Sequence, residues 1–377
     1  MDAAVASRRE ARMNAAMQDA RAMALRAKEI AKALGFDLAG IAPADPPPHA
    51  ASLREWLARG FAGEMGYLAR RAEERIDPRR VLEGARSVVA LAFVYDPGSQ
   101  ARVDVPTARV ARYAGGEDYH DVLLDRVRAF EAALVALAER PVRTRGYVDT
   151  GPVLERALAA RAGIGWIGKN TCLIHPTLGS YLFLAVVLTD LALEPDAVEP
   201  DHCGSCRACL DACPTDAFPE PWVMDATRCI AYSTIESRGP IPEPLRAAQG
   251  EWAFGCDVCQ EVCPWNRRER RAVPADAHGL RARIAPRPEW RSPAIAWLLG
   301  LDETEWKRAT RGTALRRARH RGLLRNALVA AGNSGDAGLA PLVRRHAEGD
   351  DALLAEHARW ALERLGVADP LSPDGAP

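Results

Sequence analysis

Apolar runs alternate with amphipathic stretches along the first half of the chain. Two segments, 87–95 and 181–189, are nearly continuously apolar, which is typical of strands buried on both faces. Other stretches space their apolar residues as amphipathic helices do. The remaining predicted elements are strands at 36–41 and 142–148 and helices at 24–34, 53–57, 122–138 and 153–162. This alternation predicts an α/β domain over residues 25–194, preceded by an extension at 1–24.

The end of the chain is predicted to be helical. The pattern Arg-x-Ala-Leu-x-x-x-Gly at 325–332 recurs 34 residues later, at 359–366. This repetition predicts a short HEAT-like array over residues 290–366, followed by a tail at 367–377. Because two repeats cannot bury a core alone, we expect the array to dock on the rest of the protein.

Composition sets the broad class of protein. The chain has 377 residues, 48% of them hydrophobic, and Lys+Arg and Asp+Glu are balanced at 50 each. These values predict a globular protein of two or three domains, without the global charge that would indicate a nucleic-acid partner. The longest apolar run, 181–188, is far shorter than the roughly 18 residues of a membrane span. We therefore expect no association with a membrane.

Nine cysteines form the most specific pattern in the chain, and eight of them lie within residues 203–263. Two runs, at 203–214 and 256–264, end in Cys-Pro. The first has the spacing of bacterial ferredoxins, in which three thiolates bind one [4Fe-4S] cluster and a fourth reaches a second cluster. Applied to both runs, with the lone Cys229 as eighth ligand, this rule predicts a ferredoxin-like two-cluster domain over residues 195–268. The predicted ligands are Cys203, Cys206, Cys209 and Cys263 for the first cluster, and Cys213, Cys229, Cys256 and Cys259 for the second.

Zinc and disulfides are the alternative uses of these cysteines. Zinc sites usually combine two separated pairs of ligands, unlike this closely spaced run. Disulfides are typical of secreted proteins, and Arg8-Arg9 is not followed by the apolar segment of an export signal. Thiols available for iron therefore predict a cytoplasmic location. The ninth cysteine, Cys172, has no partner spacing and is predicted to be a small buried residue.

Three polar positions of the α/β domain could carry chemistry. Residues 112–120 are rich in glycine and aromatics, and Asp118 is suited to cap the helix that follows. Residues 163–170 match Gly-x-Gly-x-x-Gly but follow a helix instead of a strand, which excludes a Rossmann or Walker site and makes Gly163 a helix C-cap. Asp149 lies between a strand and a helix, where sequence alone favours a capping residue over a general acid at a pocket.

One stretch of the C-terminal part is strongly basic. Between Trp306 and Asn326 the chain carries eight basic residues and no acidic one. A run of one charge sign favours phosphate binding over a merely solvated helix face, so the sequence predicts a nucleic-acid surface. The basic residues are Lys307, Arg308, Arg311, Arg316, Arg317, Arg319, Arg321 and Arg325.

Taken together, these stretches resemble the epoxyqueuosine reductase family, the cobalamin-dependent iron–sulfur enzymes that complete queuosine in tRNA. The resemblance spans about residues 25–366. The stretches that carry it are 112–120, 147–155, 163–171, 179–180, 229–236 and 257–266.

The resemblance implies cofactors, a substrate and a mechanism. We expect base-off cobalamin in the α/β domain, and the Asp-x-His-x-x-Gly motif of histidine-ligated cobalamin is indeed broken after His120. Electrons from an external low-potential donor would pass through both clusters to cobalt, and a neutral Asp149 with a raised pKa would donate a proton as the epoxide opens. Acting as a monomer, the protein would bind the anticodon stem-loop through its seven C-terminal arginines. The implied corrin contacts are Arg75, Tyr113, Asp149, Asn170, Leu173, Ser180 and Asp257.

Three other functions use part of the same pattern. A reductive dehalogenase shares the cobalamin and the two clusters, but does not need the basic repeats. A simple electron-transfer ferredoxin would not need the α/β domain. A tRNA-binding scaffold with structural clusters would show no redox change at cobalt.

Overall fold

The computed structural model describes residues 2–95, 106–267 and 271–367; most of the predicted tail, 368–377, lies outside the described residues. The β-strands are β1 (Leu38–Pro43), β2 (Ser87–Val94), β3 (Arg109–Val110), β4 (Thr144–Val148), β5 (Trp166–Ile167), β6 (Leu173–Ile174), β7 (Leu182–Thr189) and β8 (Trp252–Phe254). The α-helices are α1 (Asp2–Ala33), α2 (Ser52–Ala58), α3 (Gly66–Arg70), α4 (Ala72–Ile76), α5 (Tyr119–Ala136), α6 (Glu155–Arg161), α7 (Ala208–Asp211), α8 (Ile230–Ile235), α9 (Glu243–Gln249), α10 (Val258–Glu261), α11 (Leu280–Ile284), α12 (Pro288–Arg291), α13 (Ile295–Gly300), α14 (Glu303–Ala309), α15 (Arg319–Ser334), α16 (Ala340–Ala347) and α17 (Ala352–Arg364).

Four strands form the main sheet in the order β1–β2–β7–β4, and every neighbouring pair is antiparallel. Strand β2 pairs with β7 over its whole length, from Ser87 opposite Thr189 to Val94 opposite Leu182. Strand β2 is fully buried and β7 is mostly buried, as their continuous apolar sequences predict. The sequence did not predict the strand directions, because alternating helices and strands more often accompany a parallel sheet.

Alternate residues of β2 face two different cores, as the two-residue period of a strand requires. Leu91 and Phe93 pack with residues of α1 and α5. Ala90 and Ala92 pack on the opposite face, with residues of α6. The sheet therefore lies between helices in a mixed α/β fold.

Most predicted elements begin and end within three residues of the observed ones. The exception is the N-terminus, where the predicted extension and first helix form the single helix α1, which ends just before Gly35. Asp118 caps α5, as predicted, by accepting a hydrogen bond from the His120 N–H. Gly163 follows α6 with a φ of 73°, which confirms its predicted C-cap role.

The cysteine-rich segment and the C-terminal helices pack against the α/β part. Strand β8 pairs with β3, and both share a core with α13 to α17 that includes Val110 and Phe254. This shared core confirms the predicted docking of the C-terminal helices. Helices α15 and α17 carry the two copies of the repeated pattern, and a Cβ placed on Gly332 would lie 2.9 Å from the Cα of Ala361. No helix among the described residues is both long and apolar enough to cross a membrane.

Candidate functional site

The first group of predicted ligands surrounds one cavity. Its lining consists of Cys203, Cys206, Cys209, Cys263, Lys169, Asn170, Ile174, Pro264 and Trp265. Cys206 is exposed, whereas Cys263 is buried. Burial and the neighbouring thiols raise the pKa of Cys209 to about 11. The last cysteine of the second run thus lies with the first run, as the ferredoxin rule requires.

The second group gathers the other four predicted ligands. Burial, together with the charges of Cys229 and Cys213, raises the pKa of Cys256 to about 12. The interaction with Cys172, burial, and then the charges of Cys229 and Cys256 raise the pKa of Cys259, so these thiols lie close to one another. Among the described residues no three His, Cys, Asp or Glu side chains converge tightly enough to hold a single metal ion. A four-iron cluster is larger than one ion and lets its cysteines stand further apart.

Lys169 and Asn170 connect the glycine-rich loop to both cysteine groups. Lys169 Nζ donates hydrogen bonds to the carbonyl oxygens of Gly204, at 2.6 Å, and Cys206, at 2.8 Å. Asn170 Nδ2 donates to the carbonyl oxygen of Cys259 at 3.2 Å. The loop therefore supports the cysteine segments, and its lysine is not free to bind a phosphate.

Ser180 also forms hydrogen bonds with the cysteine-rich segment. Its N–H donates to Asn266 Oδ1 at 2.7 Å, and its Oγ donates to Gln260 Oε1 at 2.9 Å. Cys172 is partly buried, and interaction with the Cys259 thiol lowers its pKa, so the two thiols are neighbours. The ninth cysteine is therefore a neighbour of the second group and more than a small core residue.

Asp149 follows β4 with a left-handed backbone, at a φ of 56°. The interpretation of Asp149 as a helix cap is wrong, because α6 begins only at Glu155, after an uncapped Leu154. Its Oδ2 instead accepts a hydrogen bond from the Tyr119 hydroxyl and contacts His120 Nε2, both at 3.2 Å. Non-glycine residues in this strained conformation often lie at functional sites.

His120 lies between two carboxylates, with Nδ1 2.7 Å from Asp118 Oδ1 and Nε2 beside Asp149. Burial opposes the charged imidazolium, but the hydrogen bonds and charges of both carboxylates outweigh it and raise the pKa of His120 to about 9. Burial would also raise the pKa of Asp149, yet His120 holds it below its usual value. At neutral pH the proton is therefore on His120, which corrects the expectation of a neutral Asp149 with a raised pKa.

Asp149 is open to solvent, with 65% of its side chain exposed, and the region that it shares with Arg75, Gly151 and Glu155 is called the pocket of Asp149. Arg75 Nη1 donates to the carbonyl oxygen of Gly151 at 3.0 Å. The Nε of Arg75 and the Oε1 of Glu155 are buried, and neither has a hydrogen-bond partner among the described residues. Because buried polar groups without partners are rare, this side of the pocket is suited to a polar ligand.

The other implied corrin contacts differ in depth. The ring of Tyr113 meets that of Tyr119 edge-on, with centroids 5.9 Å apart. Burial and then the charges of Asp149 and Asp257 raise the pKa of Tyr113, so its ring lies between the pocket and the second cysteine group. Asp257 is 2% exposed, and burial raises its pKa to about 6. The side chain of Leu173 packs in the core against α6, which leaves it little surface for a ligand.

One of the seven predicted tRNA-binding arginines is misassigned. Arg325 is 1% exposed and donates hydrogen bonds to the main-chain carbonyls of Ser233, Ser237 and Gly239. Burial lowers the pKa of Arg325 to about 10. Its side chain thus ties α15 to the cysteine-rich segment and cannot reach a phosphate. The arginines that are exposed are Arg308, Arg311, Arg316, Arg317, Arg319 and Arg321.

Ion pairs occupy two of these exposed arginines. Arg317 pairs with Glu236 at 2.8 Å, and Arg321 pairs with Asp351 at 2.6 Å. The hydrogen bond with Glu236 raises the pKa of Arg317, and the charge of Asp149 adds a smaller effect, so this arginine lies within electrostatic reach of Asp149. Within the described part of the chain, no carboxylate pairs with Arg308, Arg311, Arg316 or Arg319.

Several residues of the site were given no role from the sequence alone. All of them lie inside the stretches that carry the family resemblance, so their location was available from the sequence. Their partners are remote in sequence, so the contacts between them could not be predicted from the sequence. These residues are Tyr119, His120, Glu155, Lys169 and Gln260.

Comparison with known families defines the class of protein first. Residues 202–266 match the family described as a 4Fe-4S double cluster binding domain, which makes the chain an iron–sulfur protein. Residues 75–150 match the family described as epoxyqueuosine reductase QueG, DUF1730. An iron–sulfur domain joined to a domain with a proton-bearing pocket is typical of an oxidoreductase.

Similarity to curated relatives and solved structures extends over most of the chain. It is 44% identical over 312 residues to the epoxyqueuosine reductase of Gloeobacter violaceus, covering 82% of this chain and 96% of the relative. It is 39% identical to that of Pseudomonas aeruginosa, covering 90% and 93%. A crystal structure of epoxyqueuosine reductase with an epoxyqueuosine-modified tRNA-Tyr stem loop is 31% identical, with a TM-score of 0.80 and coverage of 90% and 89%. The chain therefore belongs to the epoxyqueuosine reductase family of oxidoreductases.

Proposed function

We propose that this protein reduces epoxyqueuosine to queuosine at the wobble position of tRNA. The observation that carries the proposal is the chain of contacts from Asp149 through Tyr119 to Tyr113, which packs on the same small core as Cys256 of the second cysteine group. A member of the family has been crystallised with a tRNA stem loop that carries epoxyqueuosine, which supports the same substrate here. One chain provides all of these groups, so a monomer suffices.

Two [4Fe-4S] clusters and base-off cobalamin are the proposed cofactors. Each cluster would be held by one group of four cysteines. The first group is Cys203, Cys206, Cys209 and Cys263, and the second is Cys213, Cys229, Cys256 and Cys259. Arg75, Tyr113 and Asp149 would contact the corrin from the pocket, and the unpartnered Nε of Arg75 suits the amide side chains of a corrin. Asn170 and Ser180 would support it from the cluster side. When bound, cobalamin supplies a cobalt that is reduced through the clusters by an external low-potential donor and acts on the epoxide.

The proton for the opening epoxide comes from the pair of Asp149 and His120. Opening of the epoxide leaves a basic alkoxide, which needs a general acid nearby. Asp149 is the exposed member of the pair, and His120 holds the proton behind it at 3.2 Å. The proton of His120 Nε2 would pass through the Asp149 carboxylate to the oxygen, while Asp118 keeps the ring in place.

The basic surface would bind the anticodon stem-loop. Arg316 and Arg319 are exposed without carboxylate partners in the described residues, and Arg317 lies within electrostatic reach of Asp149. Arginine contacts to phosphates give sequence-independent affinity and fix the orientation of the nucleic acid. The modified base would then enter the pocket from the stem-loop.

The proposed function is tested by anaerobic incubation of the reconstituted, cobalamin-loaded protein with epoxyqueuosine-containing tRNA and a low-potential reductant. Mass spectrometry of the nucleosides should show the loss of one oxygen atom, and only when cobalamin is present. Unchanged epoxyqueuosine, with both clusters and the cobalt shown to be reduced, would refute the proposal. Omission of cobalamin is the matched control, because the clusters remain.

A further inference from the structure

Glu155 is a half-buried residue to which neither the fold nor the proposed reaction has so far given a role. It is the first residue of α6 and belongs to the same connection as Asp149 and Gly151. Its Oε1 is buried and has no hydrogen-bond partner among the described residues. A buried carboxylate without a partner is costly, whereas the neutral acid is not. This position therefore favours a carboxyl group that keeps its proton.

The charges around Glu155 agree with this protonation state. Burial raises the pKa of Glu155 to about 8, and the negative charge of Asp149 raises it further, against the opposing effects of its own main-chain N–H, Arg75 and Arg156. Arg156 is turned away, with its Nη1 bonded to the carbonyl oxygen of Thr171. At neutral pH most Glu155 side chains thus carry a proton close to the charge of Asp149.

The proposed reaction needs two protons. Conversion of an epoxide into an alkene breaks both C–O bonds, places two electrons on the carbon framework and releases the oxygen as water. The two electrons come from the external low-potential donor. The pair of His120 and Asp149 holds one transferable proton at neutral pH, because Asp149 itself is ionised. One further proton is required before the oxygen can leave as water.

We infer that Glu155 supplies this second proton to the pocket of Asp149. The first proton converts the alkoxide into a hydroxyl group. The proton of Glu155 then allows the hydroxyl oxygen to depart as water, and solvent restores both acids afterwards. The inference rests on the proposed function, and it assigns the two protons to two separate groups, His120 and Glu155.

The test compares the wild-type protein with Glu155→Gln, which keeps the shape of the side chain but has no acidic proton. In single-turnover reactions of the cobalamin-loaded enzyme, we expect the variant to be at least about tenfold slower at neutral pH. The wild-type rate should fall above about pH 8, because Glu155 loses its proton there, and this fall should be absent from the variant. Glu139→Gln, which changes an exposed glutamate in the connection between α5 and β4, is the control.

A second measurement does not depend on activity. Carbon NMR of the cobalamin-free protein with labelled glutamate should show one carboxyl resonance that titrates near pH 8 and is missing from Glu155→Gln. A variant with the wild-type rate and pH profile would overturn the inference, and so would a variant that no longer binds cobalamin. Failure of the wild-type protein itself to convert tRNA would instead refute the proposed function, and the NMR titration would still report on Glu155.

Discussion

The two cysteine groups and the pocket of Asp149 are built in different ways. The cysteines lie on one segment of the chain, and main-chain hydrogen bonds position them, such as that from the Ala217 N–H to Cys213 Sγ at 3.3 Å. The pocket collects single side chains from separate elements, with Arg75 in α4 and His120 in α5. Its chemical state depends on how charges balance across these elements. Removal of one cysteine ligand should therefore remove a whole cluster, whereas replacement of one side chain in the pocket should only shift the pKa values of its neighbours.

This difference shows why electrons and protons are handled separately. Ligands of a cluster must all be present, and their geometry leaves little choice. A proton site can be tuned, because each neighbouring charge moves its pKa a little. Within one pocket the same kind of group is ionised at Asp149 and protonated at Glu155. Hydrogen bonds from His120 account for the first state and burial for the second.

The largest expected effect is the loss of one cluster when a single cysteine ligand is replaced. Cys263→Ala should lose the same cluster as Cys206→Ala, although these cysteines belong to different runs, because both line one cavity. Cys213→Ala should lose the other cluster. Each variant should fall from about eight iron atoms to about four, with loss of one set of electron paramagnetic resonance signals and of all turnover.

The control for this experiment is Cys172→Ala. Cys172 contacts Cys259 but is not among the eight proposed ligands. It should keep both clusters and their full iron content. Loss of iron from this variant, or loss of different clusters from Cys263→Ala and Cys206→Ala, would contradict the proposed division of the ligands.

The next effect is that of Asp149→Asn, which removes the exposed acid of the pocket. The amide fills the same space but cannot donate a proton to an alkoxide. We expect turnover to fall by about 100-fold or more, with unchanged binding of tRNA. Single-turnover conversion and tRNA binding measured on the same preparation test this. Full activity would exclude Asp149 as the donor.

How far the sequence could predict these features follows the same division. The two-cluster segment was predictable, because the spacing of cysteines within one run is itself the geometry of the ligands. The proton on His120 was not, because it depends on Asp118 and Asp149 together. Arg325 shows the same limit: its charge is visible in the sequence, but the turn of α15 that buries it is a result of packing. Strand direction was likewise decided by tertiary packing and not by the alternation of elements.

A smaller effect, with a clear dependence on pH, is expected from His120→Asn. His120 is protonated below about pH 9, so the wild-type pair should keep its proton through neutral pH. Without His120, Asp149 loses the charge that lowers its pKa, and burial should raise that pKa instead. Only Asp149 itself could then carry the proton, and it would do so mainly in acid. We expect turnover about tenfold slower at neutral pH, recovering as the pH falls.

Rate–pH profiles of the wild-type protein and His120→Asn measure this effect. His120→Gln provides a second neutral side chain of different length, and both variants should shift the profile in the same direction. Equal profiles for wild type and variants would mean that His120 only positions Asp149. In that case the proton store would have to be found elsewhere.

The smallest effects should come from single arginines of the basic surface. Arg319 is exposed and without a carboxylate partner in the described residues, so Arg319→Ala should weaken tRNA binding several-fold. If the arginine contacts a phosphate, the slope of log affinity against log salt should fall by about one. Arg359→Ala, which removes an exposed arginine of α17 outside the basic stretch, should leave both quantities unchanged.

Arg325→Ala should act differently, because a buried group bonded to three main-chain carbonyls supports the fold. We expect it to destabilise the protein by about 2–3 kcal/mol in denaturant unfolding while the folded fraction keeps the wild-type salt slope. If Arg325→Ala reduced the salt slope and Arg319→Ala left it unchanged, Arg325 would be the phosphate contact and Arg319 would not.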